Sequence, residues 1–168
     1  MPPHARGEVC SRRGRSSPGT GNAWNWDVHE PLALVADPDW AMRELMLRTV
    51  ERAGYSVLEC SSSVQLDAAL RTRTIRCASY VFLVTSAAIA LGSGEVLRHL
   101  GEERRSMGQL LPQMLVTCEF GTIKTCPRPE FADCVSVGLL EKPFDFALLQ
   151  SIAYRCRTTP ANGAHQTG

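Results

Sequence analysis

The sequence predicts an α/β fold built on one parallel β-sheet with helices on both of its faces. Short apolar runs alternate with segments whose apolar residues recur at helical spacing, and this alternation continues from about residue 31 to residue 157. With 168 residues, 44% of them hydrophobic, the chain can form one packed domain flanked by tails. We therefore expect a domain over residues 31–157, with disordered tails over residues 1–30 and 158–168.

Five short apolar runs are predicted as the strands of this sheet. The first is fit for burial on both faces, and the third is the most hydrophobic of the five. In chain order they are Leu32–Ala36, Tyr55–Glu59, Tyr80–Thr85, Gln113–Thr117 and Val137–Glu141. Parallel strands need right-handed crossovers, so five of them favour the flavodoxin-like order 2-1-3-4-5.

Helical spacing and capping residues predict the helices between these strands. They run over about Asp39–Ala53 before Gly54, from Ser62 or Ser63 to about Arg73, over about Gly94–Glu103 after a loop, and from a cap at Asp145 to the end of the domain. The connection between the fourth and fifth strands contains glycine and two prolines, which oppose a full helix. We therefore expect a truncated fourth helix there, from Pro129 to about Val135.

Charge and cysteine usage exclude several classes of function. The formal net charge is +1, and residues 31–157 contain 14 basic and 14 acidic side chains. A broad nucleic-acid surface needs clustered positive charge, so we expect no nucleic-acid partner. No two of the seven cysteines have zinc-knuckle or CxxC spacing, and no apolar stretch is long enough to span a membrane. We expect a cytoplasmic protein with no membrane contact.

The N-terminal 30 residues contain two features that a plain solvated tail does not need. Arg12, Arg13 and Arg15 form a basic cluster, suited to nucleic acid or to an acidic partner, although a solvated tail is the favoured interpretation. Trp24 and Trp26 are unusual in such a segment. The sequence leaves open whether they dock on the edge of the domain or on a partner.

Three segments of the domain resemble the receiver domain of bacterial two-component response regulators. They are LALVADPDWAMRELM from residue 32, MLVTC from residue 114 and GLLEKPFDFALL from residue 138. The resemblance implies a pocket at the carboxyl ends of the strands. There, two acidic residues help to hold Mg²⁺, an aspartate at the end of the third strand accepts a phosphoryl group, and a hydroxyl and a lysine bind that group.

The resemblance also assigns each position of that pocket to a residue of this chain. Asp37 matches the first acid, Pro38 occupies the place of the second, and Asp39 follows. Thr117 matches the hydroxyl and Lys142 the lysine. Leu139 takes the place of the aromatic switch residue on the fifth strand, and Thr85 that of the acceptor aspartate.

The missing acceptor is the decisive departure from the family pattern. No Asp or Glu occurs between Ala68 and Gly94, so no shift in alignment supplies a carboxylate at the end of the third strand. A threonine hydroxyl is a poor nucleophile unless a general base activates it. With two anionic ligands lost, we expect weak or absent Mg²⁺ binding and no cofactor, with Asp37 as the residual candidate ligand.

Structural roles compete with functional ones at these positions. The favoured role of Asp37 is an N-cap with Pro38 at the first helical position, and the alternative role is a metal ligand. Lys142 is predicted to pair with Asp37 or Asp39 across the pocket. For Thr85 there are two interpretations. The favoured one is that its hydroxyl fills the space of the lost aspartate, and the other is that Thr85 is the target of a Ser/Thr kinase.

These observations predict a degenerate, stand-alone receiver rather than an enzyme. We expect a phosphorylation-independent module for protein interaction in bacterial signal transduction, with its partner on the face of the fifth strand and last helix. Two alternatives stay open. One is a phosphorelay receiver that switches through Thr85 or an unusual ligand. The other is a small-molecule binder or enzyme that uses the crevice at the strand ends. A homodimer is also open.

Overall fold

A five-stranded parallel sheet in the order β2-β1-β3-β4-β5 forms the centre of the computed structural model, which describes residues 31–78, 80–122, 124 and 136–158. The strands are β1 Leu32–Ala36, β2 Ser56–Cys60, β3 Val81–Ser86, β4 Gln113–Cys118 and β5 Ser136–Glu141. This topology confirms the predicted flavodoxin-like order, and every strand boundary lies within one residue of its predicted position.

Helices cover both faces of the sheet. They are α1 Trp40–Arg52, α2 Ser63–Leu70, α3 Arg73–Cys77, α4 Ala87–Gly92, α5 Gly94–Ser106 and α6 Phe146–Thr158. Helices α1 and α6 bury apolar residues against one face, which we call the α1/α6 face. Helices α2 to α5 pack on the other, which we call the α2–α5 face. Of the four residues predicted to face inward from α6, Leu149 and Ala153 are fully buried, and Ile152 and Cys156 are partly buried.

Helix α1 begins two residues later than the N-cap prediction required. Asp39 is its N-cap, and its Oδ1 accepts a hydrogen bond of 3.0 Å from the Met42 N–H. The prediction of Asp37 as the cap was therefore wrong. Asp37 is fully buried and lies in the crevice described below. At the other end, Gly54 adopts a φ of 92°, the left-handed conformation that ends a helix and favours glycine.

Two other segments differ from the sequence prediction. The helix expected to continue to about Arg73 ends at Leu70, because Thr72 caps a separate short helix, α3. The segment expected to be a loop after β3 is helix α4. Ser86 caps it, and its alanine- and leucine-rich sequence has a high helix propensity.

Several predictions fall outside the described residues. These are the tail over residues 1–30, most of the C-terminal tail, and the truncated helix from Pro129 to about Val135. Thr158, predicted as the first tail residue, is the last residue of α6. In the described parts of the chain, no helix is long and apolar enough to cross a membrane.

A buried arginine closes the amino edge of the sheet. Arg104, near the end of α5, is fully buried, and its Nε donates a 2.7 Å hydrogen bond to the carbonyl of Leu110. Its Nη1 donates to the carbonyls of Ala78 at 2.9 Å and Ile75 at 3.4 Å. Arg104 thereby ties the end of α3 and the segment before β4 to α5.

Candidate functional site at the carboxyl edge of the sheet

Lys142 lies at the centre of a crevice at the carboxyl edge of the sheet. It follows β5 directly, and the peptide bond that joins it to Pro143 is cis. Its Nζ donates hydrogen bonds to Asp37 Oδ2 at 3.0 Å and to Glu119 Oε1 at 3.4 Å. Asp37 follows β1 and Glu119 follows β4, so one ammonium group joins the ends of three strands.

Asp37 is held from several sides. Its Oδ2 accepts from Lys142, and its Oδ1 accepts a 2.9 Å hydrogen bond from the backbone N–H of Asp39. Its carbonyl accepts a 2.7 Å hydrogen bond from Arg43 Nη1. A fully buried carboxylate needs such partners, because removing an ion from water without them costs on the order of several kcal/mol.

The two carboxylates keep Lys142 charged. Its side chain is largely buried, and burial by itself lowers the pKa of an ammonium group. Burial is the largest single influence, but the hydrogen bonds and charges of Asp37 and Glu119 together outweigh it and raise the pKa of Lys142 above its ordinary value of 10.5. A buried ion pair, rather than a neutral amine, therefore occupies the crevice.

The hydroxyl residues at the ends of β3 and β4 divide between the two faces of the sheet. Ser86 is the register partner of Thr117, and Thr85 is the register partner of Ala36. Side chains alternate along a strand, and Phe82 and Val84 belong to the core of the α1/α6 face. The same alternation places Ser86, with Asp37 and Thr117, on the α1/α6 face.

Thr85 continues the other row of β3, which faces α2–α5. It is fully buried, its Oγ1 donates to the Ser86 carbonyl at 3.2 Å, and its own carbonyl accepts from Thr117 Oγ1 at 3.5 Å. The register therefore places Ser86, one residue beyond the predicted Thr85, on the same face as the Lys142 ion pair. Neither residue supplies a carboxylate.

The remaining predicted site residues do not join the ion pair. Pro38 and Asp39 are exposed, and Asp39 serves as the cap of α1. Leu139 is 39% exposed on β5, and alternation from buried Leu140 places it on the face opposite α6. The structure thus brings Asp37 and Lys142 into contact, and it places Thr117 against the end of β3.

Sequence reasoning missed the turn after β4, which supplies the second carboxylate. The Lys142 N–H donates to the Cys118 carbonyl at 2.8 Å, and the Gly121 N–H donates to a Glu141 carboxylate oxygen. Glu119 is an acidic residue directly after a predicted strand, and this position was the signal available in the sequence. Its contact with Lys142 depends on the path of the turn.

The donor set does not fit the Mg²⁺ that the resemblance implies. Oxygen ligands from several carboxylates hold this ion, but the second acid position is Pro38 and β3 ends in hydroxyl residues. Both oxygens of Asp37 already accept hydrogen bonds. Across the described residues, no group of three or more His, Cys, Asp and Glu side chains is arranged to bind a metal ion.

Comparison with known proteins identifies the fold. No protein-family model matches the sequence, and no curated protein matches it. Among solved structures, a CheY-like response regulator receiver domain protein from Methanospirillum hungatei JF-1 is 14% identical. Its TM-score is 0.53, and the match covers 78% of this chain and all of that one.

Two bacterial structures are similar to the same extent. The receiver domain of NtrX from Brucella abortus is 20% identical with a TM-score of 0.52, over 76% of this chain and 98% of that one. The chemotaxis protein CheY4 of Vibrio cholerae is 19% identical with a TM-score of 0.51, over 75% and 98%. The chain therefore has the fold of CheY-like receiver domains. At these identities the likeness defines the fold and not the activity.

Proposed function

We propose that this chain is a receiver-fold module for protein interaction in signal transduction, and that its action does not depend on aspartyl phosphorylation. The end of β3 supports this most directly. There the buried hydroxyl residues Thr85 and Ser86 stand where an acceptor carboxylate would be needed. A hydroxyl without a general base is a poor nucleophile toward a phosphoryl donor.

The state of Lys142 supports the same proposal. In a working pocket a free ammonium group would meet an incoming phosphoryl group. Here the ammonium group already contacts two carboxylates of the chain, Asp37 at 3.0 Å and Glu119 at 3.4 Å. Thr85 has no exposed surface, so a protein kinase would reach it only after the end of β3 had opened.

We place the partner surface along β5 and the start of α6. β5 is the strand at one edge of the sheet, and the surface around this edge exposes Leu139 on the α2–α5 side and Leu148 of α6 on the other side. Exposed apolar residues beside an edge strand suit recognition by another protein. Because this surface contains none of the crevice residues, binding through it would not require chemistry at Lys142.

Treatment with acetyl phosphate and Mg²⁺ tests the central claim. We expect the intact mass to stay unchanged, and we expect beryllofluoride with Mg²⁺ to leave the amide spectrum unchanged. Addition of one base-labile phosphoryl group per chain would overturn the proposal.

A pair of matched variants tests where the lost carboxylate belongs. Pro38→Asp with Ser86→Asp adds two anionic oxygen ligands on the Asp37 face and should create Mg²⁺ binding, followed by amide shifts. Pro38→Asp with Thr85→Asp should not bind Mg²⁺, because its second carboxylate is buried on the α2–α5 face. Mg²⁺ binding by the Thr85 variant alone would contradict the register assignment.

A further inference from the structure

Two exposed aromatic residues follow closely after the two carboxylates that contact Lys142. Trp40 is 71% exposed at the start of α1, three residues after Asp37. Phe120 is 78% exposed and follows Glu119 directly. Because Lys142 contacts both Asp37 and Glu119, the chain positions of the two aromatic residues lie close to one cluster of charged side chains. Large exposed aromatic residues at such a place indicate a binding surface.

The turn that presents Phe120 is held by several hydrogen bonds. The Thr122 N–H and Oγ1 both donate to the Glu119 carbonyl, at 3.0 and 2.6 Å. Gly121 has a φ of 77°, which glycine adopts without strain, and its N–H donates to Glu141. The backbone beneath the ring is therefore tied to the end of β5 on one side and to its own turn on the other.

The same edge is acidic. We call this surface, from Trp40 across the ion pair to Phe120, the aromatic acidic edge. We compare the charged residues at the carboxyl ends of β1, β2, β4 and β5 and in the described segments that follow these strands. They include three cations, Arg43, Lys124 and Lys142. The carboxylates of those segments are Asp37, Asp39, Glu59, Glu119, Glu141 and Asp145. A surface with this excess of negative charge and two exposed aromatic rings favours a basic occupant with apolar side chains.

The chain contains a segment with that chemistry before β1. Residues 1–20 contain four arginines, Arg6, Arg12, Arg13 and Arg15, against one acidic residue, Glu8. Trp24 and Trp26 follow them. From Pro31, an extended chain reaches about 23 Å at Trp24 and about 50 Å at Arg15, whereas a five-residue strand such as β1 is about 16 Å long. Both groups can reach the carboxyl edge.

We propose that residues 12–26 of this chain dock on its own aromatic acidic edge, with the arginines against the carboxylates and the tryptophans against Trp40 and Phe120. Tethering raises the effective concentration of the segment to the millimolar range, so weak contacts suffice to hold it.

Amide spectra of the full chain test the docking. We expect Arg12→Gln/Arg13→Gln/Arg15→Gln to shift the amides of Glu119, Phe120 and Gly121 and the indole N–H of Trp40. Raising the salt of the unmodified chain to roughly 0.5 M, which shortens the Debye length to about 4 Å, should move the same signals in the same direction. The matched control, Arg71→Gln/Arg73→Gln, removes two exposed charges near α3 and should leave these signals in place.

Each outcome decides the proposal. Shifts at the aromatic acidic edge that do not depend on protein concentration support docking within one chain. Shifts that grow with concentration overturn it in favour of a second copy as the occupant. An unchanged edge, or shifts confined to other surfaces, also overturns it. Phe120→Ser gives an independent check, since it should release the indole signals of Trp24 and Trp26 to the values seen at high salt. None of these outcomes depends on whether the chain accepts a phosphoryl group.

Discussion

The two ends of the sheet each hold a cation that is shielded from solvent, Arg104 fully and Lys142 in large part, and the partners of those cations differ. At the amino edge, Arg104 is fully buried and donates hydrogen bonds to the backbone carbonyls of Leu110, Ala78 and Ile75. At the carboxyl edge, Lys142 meets two carboxylates, Asp37 and Glu119. Burial lowers the pKa of Arg104, whereas the carboxylates raise that of Lys142 against the effect of burial.

The difference distinguishes a charged side chain that holds segments of the fold together from a group of opposite charges that meet at one site. Carbonyl oxygens accept hydrogen bonds without changing their own charge, so Arg104 acts as a clamp between segments. An ammonium group between two carboxylates forms an electrostatic unit that an incoming anion or cation can disturb. The amino edge therefore supports the fold, and the carboxyl edge holds a cluster of opposite charges.

The largest effect is expected at Arg104. Arg104→Met should lower the free energy of unfolding by about 3–5 kcal/mol, because three backbone carbonyls lose a charged donor in the interior. Urea unfolding measures this difference. Arg73→Met, at an exposed arginine of α3, is the control and should change stability by less than about 0.5 kcal/mol. Equal effects of the two substitutions would remove the basis for calling Arg104 a clamp.

Lys142→Met should cost less, about 1–3 kcal/mol, because it leaves Asp37 buried without its cation in a crevice that is partly open. Adding Asp37→Asn should recover part of that loss, since the double variant contains no stranded charge. Thermal and urea unfolding of the three proteins measure the coupling. If Lys142→Met is as stable as the parent chain, the ion pair does not stabilise the fold, and of the two cations only Arg104 has a structural role.

The prediction of the fold succeeded where local patterns decide the structure. Apolar runs, Gly54 and Asp145 marked strands and helix ends, and the order of five parallel strands followed from the crossovers. The contact of Lys142 with Asp37 was also predictable, because residues at the carboxyl ends of parallel strands share one edge. The clamp of Arg104 was not, since its three carbonyl partners come from segments brought together only by the folded chain.

Single-residue registers limited the prediction of the site. The prediction assigned Thr85 to the acceptor position, but alternation along β3 from Phe82 and Val84 puts Ser86, one residue later, on the face of the ion pair. The assignment of the α1 cap to Asp37 failed for a similar reason. Two acidic residues lie two positions apart there. Asp37 is buried in the crevice, and the exposed Asp39 caps the helix.

The ion pair should also appear in the alkaline limb of the stability curve. The raised pKa of Lys142 means that, above pH 10.5, the unfolded chain loses a proton that the folded chain retains. The stabilisation is therefore complete below pH 10.5 and declines as the pH rises. Burial also raises the pKa of Tyr55 and of Tyr80, with the same sign. Lys142→Met should flatten the decline, and an unchanged slope in unfolding measured from pH 8 to pH 11 would contradict the assignment to Lys142.

The smallest effect on stability is expected at Glu119. Its side chain is 77% exposed, so its contact with Lys142 is screened by water, and Glu119→Gln should change the free energy of unfolding by no more than about 0.5 kcal/mol. The charge should nevertheless register at Lys142, because loss of one of its two carboxylates should lower the pKa of its ammonium group. NMR titration of the lysine side chain measures that pKa. Glu102→Gln, on α5, removes another exposed carboxylate, which pairs with Arg98, and serves as the control. A pKa that is the same in both variants would mean that Asp37 alone sets the charge of Lys142, and that the turn after β4 belongs to the docking surface and not to the ion pair.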